Sequence, residues 1–126
     1  AVDIDSRNRL VVGDRGNNRL QIFDLDGNYI AEFRSFSRPS GIYITANDTI
    51  YVADSESEFD NERNPGWEAG IRVGSLLDGL VDFFIDGSVE AYPDGSNPEG
   101  VAVDAAGNVY GAVVSGGGAL IKSVRR

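Results

Sequence analysis

The chain has 126 residues, 41% of them hydrophobic and 25% charged, a composition that suits one ordinary globular domain. Eleven basic residues against twenty acidic ones leave a net charge of −9, which repels phosphate backbones and anionic headgroups, so neither nucleic acid nor a membrane is expected as a partner. Cysteine and histidine are both absent, which removes disulfides, thiolate and imidazole metal ligands, and any Ser-His-Asp triad from this chain.

Sixteen glycines against four prolines, with Val, Ile, Phe and Tyr in short runs, point to brief strands joined by tight turns. In chain order, AVDI and RLVVGD flank the polar turn DSRN at 5–8. RLQIFD at 19–24 and NYIAEF at 28–33 then flank a second turn. GIYI and TIYVAD follow around TAND at 45–48, then GIRVGS at 70–75 and LVDFFI at 80–85 around LLDG. GVAV and NVYGAV around DAAGN at 104–108 precede a last strand in ALIKSVRR. DLDGN at 24–28 lacks the further ligands of a calcium loop and reads as a hairpin turn.

These pieces repeat. AVDIDSRNRLVVGD at 1–14 lies over GIYITANDTIYVAD at 41–54 with an offset of 40, and GVAVDAAGNVYGAV at 100–113 lies over the second copy with an offset of 59. Each copy predicts an antiparallel meander over 1–34, 41–86 or 100–125, the third without an outer strand. One such sheet leaves its faces uncovered, so successive copies are expected to stack face to face. The expected class is all-β, a propeller of four-stranded blades at about 1–39, 40–99 and 100–126.

GDRGNNRLQIFDLDGNYIAEF, PSGIYITANDTIYVADSES and PEGVAVDAAGNVYGA resemble NHL repeats. With NPGWEAGIRVGSLLDG at 64–79, the chain is similar to bacterial proteins grouped with the peptidyl-α-hydroxyglycine α-amidating lyases. The resemblance implies about three blades of a six-bladed ring, with the remaining blades of the same protein upstream of Ala1 as a partner. It also implies a secreted or periplasmic location.

Alternation of strand direction puts the second-to-third connection of a blade and the link to the next blade at one end of the ring. Both are long, at 55–70 and 86–99, which makes this end the expected ligand face. In the first of them Trp67 is a candidate stacking residue for a small-molecule or peptide ligand, beside Glu56, Glu58, Asp60, Glu62 and Glu68. Asp14 and Asp54 recur at equivalent strand ends, where an Asp accepts backbone N–H groups of the following turn. Arg15 does not recur, because Ser55 takes its place. The lyase resemblance implies that Arg15 is an active-site arginine, catalytic and substrate-binding, able to clamp a carboxylate.

The family's metal ligands are histidines following a proline at the start of inner strands. Ser40 and Glu99 hold those places here, so Glu99 is the candidate metal ligand, for zinc or calcium completed by residues outside this chain. Two other readings stand beside the lyase: a propeller that binds protein, peptide or glycan without turnover, and a calcium-dependent lactone or ester hydrolase.

Overall fold

The computed structural model describes residues 1–57, 65–87, 97–114 and 117–126. The first sheet is formed by β1 (Val2–Ile4), β2 (Leu10–Asp14), β3 (Arg19–Phe23) and β4 (Tyr29–Phe33). The second is formed by β5 (Gly41–Ile44), β6 (Thr49–Asp54), β7 (Gly70–Ser75) and β8 (Val81–Asp86). β9 (Gly100–Val103), β10 (Val109–Val113) and β11 (Ala119–Ser123) make the third. In every sheet each strand pairs antiparallel with its neighbour in sequence, and the third sheet has three strands. The expected meanders are therefore present, including the shortened last one.

Four hairpin turns share one construction. Asp5–Arg9, Asp24–Asn28, Thr45–Thr49 and Asp104–Asn108 each close with the N–H of the first residue on the carbonyl of the fifth, and the N–H of the fourth on the carbonyl of the first. The fourth residue carries positive φ, between 56° at Asn8 and 87° at Gly27, as a three-residue hairpin loop with a bulge requires. The opening side chain fixes each turn: Asp24 Oδ1 accepts the N–H groups of Asp26 and Asn28, and Asp104 Oδ1 those of Ala106 and Asn108. Asp104 is further bonded by the Asn108 side chain and the Tyr110 hydroxyl, and its carboxyl is pushed down to about 2.

Alternation along the strands sends one set of side chains to each seam between blades. Val11, Leu20 and Ile22 of the first blade meet Ile50 and Val52 of the second, with Phe36 from the link and Leu76 from the β7–β8 turn sealed among them. Each such apolar side chain contributes roughly 1.5–3 kcal/mol by leaving water. Polar staples lock this seam: the Ser6 N–H and hydroxyl donate to the Asp48 carboxylate at 2.8 and 2.6 Å, and the Ile44 N–H donates to Asp3. The second seam joins Ala53, Ile71 and Val73 to Val109, with Val101 and Val103 against them.

On the two outer faces Val2, Ile4 and Leu120 are exposed, as expected of sheets that stack on further blades. Inner strands approach closely. A Cβ at Gly41 would lie 2.3 Å from the Glu99 carbonyl, so glycine is required where β5 passes the start of β9.

Candidate functional site

All the sequence-predicted site residues that are described lie at the end of the sheets opposite the hairpin turns. Arg15 opens a 3-10 turn, Arg15–Asn17, directly after β2. Its Nη1 meets Glu56 Oε1 at 3.1 Å, and the other oxygen of Glu56 meets Arg38 Nη2 at 2.9 Å. One carboxylate thus lies between two guanidinium groups, one from the turn after β2 and one from the link between the first two blades. Arg15 is 44% exposed and Arg38 14%. Among the described residues Glu56 is the one partner of the Arg15 side chain.

Behind this pair lies Asp54, the fully buried last residue of β6. Its Oδ1 accepts the N–H groups of Glu56 and Ser57 at 3.1 and 2.9 Å, and its Oδ2 accepts the Arg38 N–H, the Ser57 hydroxyl and Arg72 Nη1. The expected capping of the turn backbone holds at Asp54. At Asp14 the Asn17 side-chain amide and Arg19 Nε are the main contacts, and the Asn17 backbone N–H is a lesser one. Those contacts hold the Asp14 carboxyl below its ordinary range.

Arg72 crosses from Asp54 to the Glu68 carbonyl at 2.9 Å, with its guanidinium 5.0 Å from the centre of the Phe84 ring. Burial depresses its pKa, opposed by the charges of Asp54 and Glu68. Ser40, at the start of β5, shares a 2.9 Å hydroxyl contact with Ser55, the residue in the place of Arg15. Trp67 is half-buried on the approach to β7. Glu58, Asp60 and Glu62 fall outside the described residues.

Glu99 is half-buried, its N–H anchored on the Ala112 carbonyl at 2.9 Å. Its carboxylate has no hydrogen-bond or ion-pair partner among the described residues, and no group of three carboxylates gathers among them. A single Glu with no histidine does not fit a zinc site. It fits one position in the oxygen shell of a hard cation whose other ligands come from elsewhere.

The residues missed by sequence reasoning are Arg38 and Arg72. Nothing in the sequence singles out either side chain, and both gain their place only when the link between the blades and β7 fold beside Asp54. The geometry offers an exposed guanidinium, a hydroxyl pair and an isolated carboxylate at one end of the sheets, in a chain that carries no histidine or cysteine.

Comparison with known proteins agrees with the fold. Residues 1–23 and 36–57 match the NHL repeat family, and residues 89–117 match the strictosidine synthase-like N-terminal family. A 29-residue stretch is 59% identical to Protein lin-41 of Caenorhabditis elegans, covering 23% of this chain and 2% of that protein. The Kuenenia stuttgartiensis hydrazine synthase superposes with a TM-score of 0.66 at 14% identity, over 90% of this chain and 28% of the other. The chain thus spans a small part of each relative, and a likeness at that identity shows architecture alone. The amidating-lyase resemblance is not carried by these matches. What they and the sheets establish together is an all-β chain of NHL-type propeller blades.

Proposed function

We propose that this chain is the part of an NHL propeller that binds an anionic small-molecule or peptide ligand at the long-loop end, with Arg15 as its main contact. The observation that carries this reading is the half-exposed Arg15 guanidinium, held by a single oxygen of Glu56 through Nη1. Its remaining N–H groups have no partner among the described residues and can take a carboxylate or phosphate in the two-pronged manner that arginine favours. Exposed pairs of this kind are worth only ~0–1 kcal/mol, so an incoming anion displaces Glu56 at little cost. Trp67, half-buried near the same end, supplies a stacking surface.

A second reading, turnover of the amidating-lyase or calcium-hydrolase kind, draws its support from the carboxylate of Glu99 at the start of an inner strand, unpaired among the described residues. It requires metal donors from the rest of the ring, and a location outside the cytoplasm accompanies it.

The test is calorimetric titration of the full-length protein with a peptide ending in α-hydroxyglycine. Binding that weakens about tenfold in Arg15→Ala, with no release of amidated peptide whether calcium or zinc is added, is the expected result. Unchanged affinity in Arg15→Ala removes the proposal; metal-dependent release lost in Glu99→Gln replaces binding by catalysis.

A further inference from the structure

The Glu56 side chain does in the folded chain what a ligand carboxylate would do at the same place. One of its oxygens lies 3.1 Å from Arg15 Nη1 and the other 2.9 Å from Arg38 Nη2, so a single carboxylate spans two guanidinium groups. The two arginines differ. Arg15 is half-exposed and meets Glu56 alone among the described residues, which leaves it a movable arm. Arg38 is largely buried, and its own N–H is tied at 3.2 Å to Oδ2 of the fully buried Asp54, which makes it a fixed one.

Glu56 is tethered through its backbone and loosely held through its side chain. Its N–H donates to Asp54 Oδ1 at 3.1 Å, while its carboxylate, 35% exposed, touches only the two arginines among the described residues. A change of rotamer turns that carboxylate out to water and leaves the turn in place. Nor does the blade need it, because Gly16 holds the corresponding position forty residues earlier.

Charge limits what can take its place. Arg15, Arg38 and Arg72 stand with Asp54, Glu56 and Glu68, three cations with three anions. A single carboxylate exchanged for that of Glu56 gives each guanidinium an oxygen again. A phosphate dianion adds further charge to a balanced cluster, on a chain whose net charge is already −9.

Resting on the reading of Arg15 as an anion contact, we infer that the ligand presents a carboxylate, that Arg15 and Arg38 hold it together, and that Glu56 is a built-in competitor for the pair. The ligand carboxylate enters with one oxygen on each guanidinium, and Glu56 swings to solvent. The apparent affinity is then the intrinsic one reduced by the fraction of molecules in which Glu56 is already turned away. Occupancy therefore goes to a carboxylate whose attached chain makes contacts of its own.

The experiment is calorimetric titration of the full-length protein with a six-residue peptide of serine and glycine, in which phenylalanine precedes a glycine end with a free carboxylate. One twin ends in an amide, and another ends in phosphoserine amide. The free acid is expected to bind about tenfold tighter than the amide and tighter than the phosphoserine twin. Glu56→Gln, which keeps the size and removes the charge, should tighten the free acid about threefold and leave the amide unchanged. A merely structural Glu56 would lower the melting temperature without tightening anything. Arg38→Lys should weaken the free acid about tenfold, because an ammonium keeps the charge and loses the planar fork. No tightening in Glu56→Gln, unchanged affinity in Arg38→Lys, or a phosphoserine twin that binds as well as the acid overturns the inference. Arg15→Ala separates this failure from that of the anion-binding reading. If Arg15→Ala still weakens binding, only the present inference falls; if it has no effect, or no peptide binds, both fall.

Discussion

Asp14 and Asp54 end the same strand in successive blades, forty residues apart, yet their surroundings differ in nearly every respect. Asp54 is sealed from water and receives donors from the link before its blade, from its own turn and from Arg72. Asp14 is half-exposed and is held mainly by the side chains of Asn17 and Arg19. The difference lies in the cover. Arg38, which lends its N–H to Asp54, comes from the link between the blades, and Arg72 reaches Asp54 from β7, where the first blade has Gln21 in the same register. A recurring residue thus marks a corner of the fold, and what folds over the corner decides how much stability it carries.

Asp54→Ala should cause the largest loss, about 3 kcal/mol, because the variant leaves the Arg72 guanidinium and the Ser57 and Glu56 N–H groups without their acceptor. Urea melts of the full-length protein measure it, and a loss below about 1 kcal/mol would erase the contrast between the corners. Asp14→Ala should cost less than about 1 kcal/mol on the same melts, as expected of a screened surface network.

The pH dependence sharpens the same contrast at the smallest scale. The Asp14 and Asp104 carboxyls are depressed, the latter to about 2 by the Asn108 side chain first and its backbone N–H second. A carboxyl depressed in the folded state contributes stability that is present above the unfolded value near 3.8 and lost as pH falls through the folded one. Carbon-detected titration should therefore show Asp104 still ionised at pH 3, and Asn108→Ala should move its midpoint upward. An ordinary Asp104 midpoint in the unaltered protein would contradict the turn geometry.

Much of this architecture is legible in the sequence because it is written in local terms. Alternating residues such as Leu20 and Ile22 declare a strand face, and DLDGN and DAAGN declare turns whose Asp, Gly and Asn each do a different local task. The offsets of 40 and 59 then place the copies on one another. The candidate site is legible only in part. Arg15 stands out because it breaks the repeat, but its pairing with Glu56 and Arg38 joins three separate connections, and no spacing encodes that approach.

The neighbour-to-neighbour pairing of every sheet bears on how the chain reaches this state. Apart from β6 and β7, joined across 55–69, paired strands lie a few residues apart across a short turn, so these hairpins close with little loss of chain entropy, while the seams join residues some forty positions apart. The expected order of events is hairpin, blade, then seam, with blades completed one after another as the chain emerges during synthesis. In pulse-labelled hydrogen exchange the amides of β2 and β3 would gain protection before the Ile44 N–H, whose acceptor, Asp3, belongs to the preceding blade.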